Sequence, residues 1–288
     1  EARDAAEFYT AIFPNSKITS SVELHDTPSG DTQIITFNLS GYTFMAINGG
    51  SNFKFNPAIS FMVNFDPSRD DQAQENLDAL WMNLAQGGIE LMPLQEYPFS
   101  KRYGWIRDKY GLSWQLILKD PTGDERPFIV PSLMFVKEQS GKAEEAGDYY
   151  LSVFKNSRRG QIARYPADME PDLEGAVMFS DFMLEHQWFA AMDSGQQHDF
   201  TFNEAVSFLV RCKNQNEIDY FWDKLSADPQ AEQCGWLKDR YGLSWQISPV
   251  LMEEMMEKGT QEQLDRVTST FLQMKKFDLE KLKAAYNG

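Results

Sequence analysis

The chain has 288 residues, 42% apolar and 24% charged, the balance of a globular protein with room for two ordinary domains. A net charge of −16 argues against nucleic-acid or anionic-membrane partners, which need clustered Lys and Arg, and no run approaches the ~18 apolar residues of a membrane span. Cys212 and Cys234 are too few for a disulfide framework and no signal peptide opens the chain, so the expected setting is a reducing cytoplasm.

In chain order, residues 2–13 predict a short amphipathic helix with its aromatic and aliphatic side chains on one stripe. Strands are expected at 32–39, 42–47 and, with clear alternation, 58–65. A helix over 72–86 is closed by Gly87-Gly88. Two further strands flank a turn at 109–111, where Gly111 can take a positive φ. An apolar run at 128–136 reads as a strand, followed by a helix at 142–154. A helix at 215–225 and another turn at 240–242 follow. Residues 250–258, 261–275 and 279–286 look helical, with Met255, Met256, Phe271, Leu272 and Met274 as the buried stripe.

The chain repeats itself. Residues 104–115 (Gly-Trp-Ile-Arg-Asp-Lys-Tyr-Gly-Leu-Ser-Trp-Gln) return at 235–246 with nine of twelve positions identical and only Ile/Leu and Arg/Lys exchanges at the rest. Residues 8–16 match 149–157, and 53–63 match 200–210. So long a separation means a duplicated domain, since solenoid repeats recur every ~20–50 residues. The copies span 1–125 and 126–249, with a helical tail at 250–288. Nothing like the run at 128–136 precedes Ala2, so the first copy's opening strand is expected to be missing from the chain or to lie outside it. The first copy also carries an extra segment, 90–99, which suggests that its cleft mouth is the more covered.

These features resemble the vicinal oxygen chelate superfamily (glyoxalase, bleomycin-resistance and dioxygenase proteins). Within it they resemble the PhnB-like branch, often labelled 3-demethylubiquinone-9 3-methyltransferase. The Ala-Glu-Phe-Tyr helix start, the Phe-Asn-(Pro/Glu)-Ala-(Ile/Val)-Ser-Phe strand, the Gly-Trp…Ser-Trp-Gln ending and the Met-Lys-Lys-Phe-Asp tail carry the likeness over nearly the whole chain. It implies an α+β fold of two tandem glyoxalase-like domains, each of paired βαβββ modules curled around a cleft, plus C-terminal helices. Relatives with chemistry hold a divalent metal there through His or Glu. Carried over residue by residue, the first-strand ligand falls at about Pro131, the second-module positions at Ala58 and Ala205, and the closing carboxylate at Gln115 and Gln246. None is a good ligand for a hard or borderline dication. His25, His186 and His198 do not recur between copies. No metal or cofactor is therefore expected. The methyltransferase label lacks its glycine-rich strand-to-helix turn, because Gly49-Gly50 precede a loop and Gly87-Gly88 follow a helix.

Strand alternation puts Ser113 and Gln115 on the cleft face with Ser60 and Met62, and in the second copy Ser244 and Gln246 with Ser207 and Leu209. These eight residues are the candidate ligand cleft. Trp105, Trp114, Trp236 and Trp245 could line it, but core packing explains a repeated Trp better. Asp108 and Asp239 read as turn caps bonding backbone N–H groups, and both cysteines as structural. The expected function is a cytoplasmic protein binding a small organic molecule in a metal-free cleft. The alternative is a divergent lyase, isomerase or dioxygenase, for which Glu185, His186 or the missing strand would have to supply the chemistry. A monomer mimicking a single-domain dimer and a homodimer both remain open.

Overall fold

The computed structural model describes residues 1–27, 30–50 and 53–288. In chain order the elements are α1 (Ala2–Ile12), β1 (Lys17–Thr27), β2 (Gly30–Leu39), β3 (Tyr42–Ile47), β4 (Ile59–Phe65), α2 (Ala73–Leu84), β5 (Ile89–Tyr97), β6 (Ser100–Arg107) and β7 (Ser113–Leu118). They continue with β8 (Ile129–Phe135), α3 (Ala143–Val153), β9 (Arg158–Arg164), β10 (Val177–Leu184), β11 (Gln187–Asp193), β12 (Ser207–Cys212), α4 (Gln215–Leu225), β13 (Trp236–Lys238), β14 (Ser244–Pro249), α5 (Val250–Lys258), α6 (Gln261–Phe271) and α7 (Leu279–Asn287). The α+β class and the twice-written module order are as the sequence implies.

The chain packs as two compact units, residues 1–53 with 203–288, and residues 54–202. The boundaries at 125/126 and 249/250 are boundaries of the sequence repeat, and packing cuts each copy near its middle. The physical reason is strand pairing. In the unit of residues 54–202, β4 of the first copy runs antiparallel to β8 of the second, with Ser60 opposite Ser132 and Met62 opposite Val130. Around that seam the strands form one eight-stranded sheet in the order β5-β6-β7-β4-β8-β11-β10-β9. The extra segment at 90–99 supplies most of edge strand β5, paired with β6.

Both helices of this unit lie on one face of that sheet. Gly104 of β6 shows where α2 sits, since a Cβ there would come within 2.5 Å of the Trp81 ring. Gly104, Leu116, Trp114 and Phe61 therefore face α2, and Trp114 packs on Phe61 at 5.5 Å. On the other half, Tyr150 of α3 packs against Phe182, which stacks on Phe189. Every second residue of these strands points to the opposite face.

The unit of residues 1–53 and 203–288 holds two three-stranded sheets, β1-β2-β3 and β12-β14-β13. Here β3 and β12 are edge strands, and among the described residues none takes the part that β8 plays between β11 and β4. Helix α1 buries Ala2, Ala6 and Tyr9, one stripe at helical spacing. Helix α4 begins at Asn214, whose side chain accepts the Glu217 N–H, and α6 begins with a capping box between Thr260 and Gln263. The tail buries Met252, Met255, Leu264, Val267, Phe271, Phe277, Leu279 and Leu282; Met256, Leu272 and Met274 are only half-buried. The backbone carbonyls of Met274 and Lys275 accept the N–H groups of Cys234 and Gly235, so the tail runs beside the start of the second repeat motif.

Candidate functional site

The repeated motif first explains itself. Asp108 Oδ1 accepts the N–H groups of Tyr110 and Leu112, at 2.9 and 3.1 Å, and Gly111 sits at φ +92°. Asp239 does the same for Tyr241 and Leu243, with Gly242 at φ +86°. Both aspartates cap turns, and Trp114 and Trp245 are buried core residues bonded to them. The motif's repeated tryptophans therefore split. Trp114 serves the core, whereas Trp105 pairs across strands with Gln115 and lies on the face opposite the helices.

That face gathers the candidate residues of the first copy. Ser60 and Ser113 are register partners, as are Met62 and Gln115, and all four are buried. Gln115 Nε2 donates to Ser60 Oγ at 2.8 Å, and its Oε1 accepts from the Tyr103 hydroxyl at 2.7 Å. Burial pushes the Tyr103 phenol well above its ordinary range, so it stays a neutral donor. Across the seam lie Ser132 and Val130, and beyond them Ala190 and Trp188. Met62, Val130, Trp188 and Ala190 form a buried apolar cluster flanked by Ile117, Phe179 and Met183.

Among the described residues, three polar atoms on this face are buried without a hydrogen-bond partner: Trp105 Nε1, Ser113 Oγ and Ser132 Oγ. Leaving such a group unsatisfied costs about 1–3 kcal/mol, and native structures retain few of them without a reason. Ser132, Tyr103 and Trp188 were not singled out in the sequence. Ser132 sits inside an apolar run, and position 103 is Cys234 in the second copy, so repetition did not mark it.

In the other unit the matching residues share a face, Ser207 opposite Ser244 and Leu209 opposite Gln246. Gln246 Nε2 donates to Ser207 Oγ at 2.8 Å, repeating the first copy's bond. Ser244 is buried there, while Ser207, Leu209 and Gln246 are half-buried.

The donor set does not suit a metal. Pro131 pairs with Phe61, on the side of the sheet that faces the helices, so the cleft-facing positions of β8 are Val130 and Ser132. Gln115 already spends its amide on Ser60 and Tyr103, and neutral amides and hydroxyls bind dications poorly without carboxylate or imidazole partners. Among the described residues no group of three His, Cys, Asp or Glu converges.

The bases considered for enzymatic chemistry lie elsewhere. Glu185 and His186 form the exposed turn between β10 and β11, both at positive φ, and Glu185 accepts from Asn156. The carboxylate on the sheet face itself is Asp181, register partner of Ala190 and bonded to Arg126. Cys212 is buried and its thiol is pushed up to about 12 by desolvation; burial also raises Cys234. Neither is a ready thiolate.

The sequence model of the family described as 3-demethylubiquinone-9 3-methyltransferase matches residues 1–117 and again residues 127–248. The chain belongs to this family. It is a tandem member, because the model matches twice along the chain. No curated protein sequence matches it. Among solved structures, this family member is similar to a PhnB protein from Bacillus cereus, with 41% identity over 41% of this chain and 91% of that one and a TM-score of 0.36. It is also similar to glyoxalase I from Zea mays, with 11% identity over 78% of this chain and 75% of that one and a TM-score of 0.47. A glyoxylase/bleomycin resistance protein/dioxygenase domain from Frankia sp. EAN1pec shares 22% identity over 42% of this chain and 85% of that one, with a TM-score of 0.31. Among the described residues, no helix is long and apolar enough to cross a membrane.

Proposed function

We propose that this PhnB-like protein binds a small organic molecule, without a metal, on the face of the eight-stranded sheet that lies opposite α2 and α3. One observation carries the reading: among the described residues, Trp105 Nε1, Ser113 Oγ and Ser132 Oγ are three buried polar atoms without partners on a single face. Beside them lies an apolar surface of Met62, Val130, Trp188 and Ala190. A mostly apolar wall with a few convergent polar groups is the usual make-up of a small-molecule site. The ligand class that fits is a molecule with an apolar body and at least one acceptor for the indole N–H. A cytoplasmic setting belongs to the same reading, with Cys212 and Cys234 both free thiols.

The activity in the family's description is not carried over. Gly49-Gly50 follow β3 and Gly87-Gly88 follow α2, neither forming the strand-to-helix turn that receives a nucleotide cofactor. A thermal-shift screen of the full chain against a metabolite library, with and without Mn, Ni or Zn, tests the proposal. Metal-independent hits are expected. Stoichiometric tight metal, with ligand binding that depends on it, would overturn it.

A further inference from the structure

Arg126 belongs to the connection between β7 and β8, in residues 119–128 that form no strand or helix. Its guanidinium carbon lies 3.9 Å from the Trp188 ring centroid, flat-on recognition distance for a planar cation. The same guanidinium donates through Nε to Asp181 Oδ2 at 2.6 Å. Asp181 is buried, and its other oxygen accepts the Gln161 N–H at 2.7 Å. Gly160 makes the arrangement possible, because a Cβ there would fall 1.9 Å from Asp181 Oδ1 and 2.9 Å from the Trp188 ring. Beside Arg126 is a cavity of about 270 Å³, bordered by Arg158, Gly160 and Trp188.

The receptor half of this arrangement comes from the sheet, and the occupant comes from a connecting segment. The fold itself does not demand the receptor: in the first copy, Thr36 and Thr43 stand at the positions of Asp181 and Trp188 when the β2–β3 and β10–β11 hairpins are aligned on their turns. An aromatic face, a fixed carboxylate and a missing Cβ together recognise a planar, delocalised cation with N–H groups in its edge.

We propose that Trp188, Asp181 and Gly160 form a subsite for a guanidinium- or amidinium-bearing ligand, filled in cis by Arg126. The proposal deepens the cleft reading and rests on it, because Trp188 also belongs to the apolar cluster of that face. A ligand entering the subsite displaces Arg126 toward the adjoining cavity. Tethering gives Arg126 an effective concentration of about millimolar, so it acts as a built-in competitor.

The test is a titration of methylguanidinium into the full chain, read by tryptophan fluorescence and by thermal shift. Arg126→Ala is expected to bind it at least tenfold more tightly than the unaltered chain. Adding Asp181→Asn or Trp188→Leu in the Arg126→Ala background is expected to abolish that gain. Methylammonium, a point cation without the planar edge, is expected to bind at least tenfold more weakly than methylguanidinium. If Arg126→Ala fails to fold, Arg126→Gln replaces it, keeping polar bulk without the charge. Equal affinity in the Arg126 variant and the unaltered chain would overturn the subsite, as would a gain that survives Asp181→Asn. Library ligands that still bind beside Trp105 while methylguanidinium does not would remove the subsite and leave the cleft standing.

Discussion

The Trp114 indole Nε1 donates to Asp108 Oδ2 at 2.8 Å, and Trp245 repeats that bond to Asp239 at the same distance. Each carboxylate also holds two backbone N–H groups, so one buried side chain joins a turn to a core tryptophan. Hydrogen bonds to a charged group contribute about 1.5–3 kcal/mol each, and an amide cannot replace this one: an Asn Nδ2 would point a donor at the indole N–H. Asp108→Asn is therefore expected to destabilise the chain by about 2–3 kcal/mol, and Asp239→Asn similarly. Hydrogen exchange gives the check, with Asp108→Asn deprotecting the Tyr110 and Leu112 amides and leaving those of Tyr241 and Leu243 protected.

Repetition makes the fold legible. Helices α4 and α5 and strand β3 fall at the expected residues because their apolar spacing is regular. Strand β1 leaves a weak trace, because most of its residues are exposed and Ser20 interrupts the alternation of Ile18, Val22 and Leu24. The eight-stranded sheet joining the two copies could not be read at all, since register between distant strands leaves no local trace. Alternation did put Ser60, Met62, Ser113 and Gln115 on one face, as the register has it. Repetition does not mark Asp181 and Trp188, whose places in the first copy hold Thr36 and Thr43, nor Arg126, which lies outside the matched blocks. A buried polar residue at an apolar strand position, such as Ser132, was the signal available.

Removing the unpartnered hydroxyls separates a binding role from a structural one. Ser113→Ala and Ser132→Ala each delete a buried group that has no partner, so each is expected to leave stability unchanged or raise it by about 1 kcal/mol. Affinity for a cleft ligand is expected to fall roughly five- to tenfold in the same variants, the weight of one hydrogen bond. Denaturant melts paired with titrations measure both. Loss of stability in both serine variants would assign the hydroxyls to the fold.

Gln115→Glu puts a carboxylate at the position where metal-binding relatives would close their ligand set. It removes the donor that Ser60 now accepts and places a charge among buried neutral groups. A loss of about 2–4 kcal/mol is expected, with no tight divalent metal gained, because Val130, Ser132 and Met62 around it offer no second strong ligand. Calorimetric titration with Mn and Zn provides the measurement, and recovered stoichiometric binding would mark a degenerate metal site instead.

Asp193 carries a pH signature. Its buried carboxylate accepts the N–H groups of Gly141 and Ala143 at the start of α3 and that of Val177, yet burial outweighs these bonds and raises its pKa. The unfolded chain therefore ionises first. Stability attributable to this residue is highest below the ordinary carboxylate pKa of about 4, and declines as pH rises toward the native value. Asp193→Asn should abolish that decline. Asn48 already plays the part in the first copy, accepting the Ala2 N–H at 3.0 Å. Urea melts from pH 3 to pH 8 report the difference, and a parallel pH dependence in the two proteins would refute the assignment.

The most direct measurement of the central claim is the indole ¹H–¹⁵N spectrum of the seven tryptophans during addition of a ligand from the metal-free thermal-shift screen. The Trp105 Nε1–H, identified by its loss in Trp105→Phe, is expected to shift as it gains an acceptor, and the Trp114 indole, bonded to Asp108, is expected to stay in place. Saturating ligand that leaves the Trp105 signal unmoved would contradict binding on this face of the sheet.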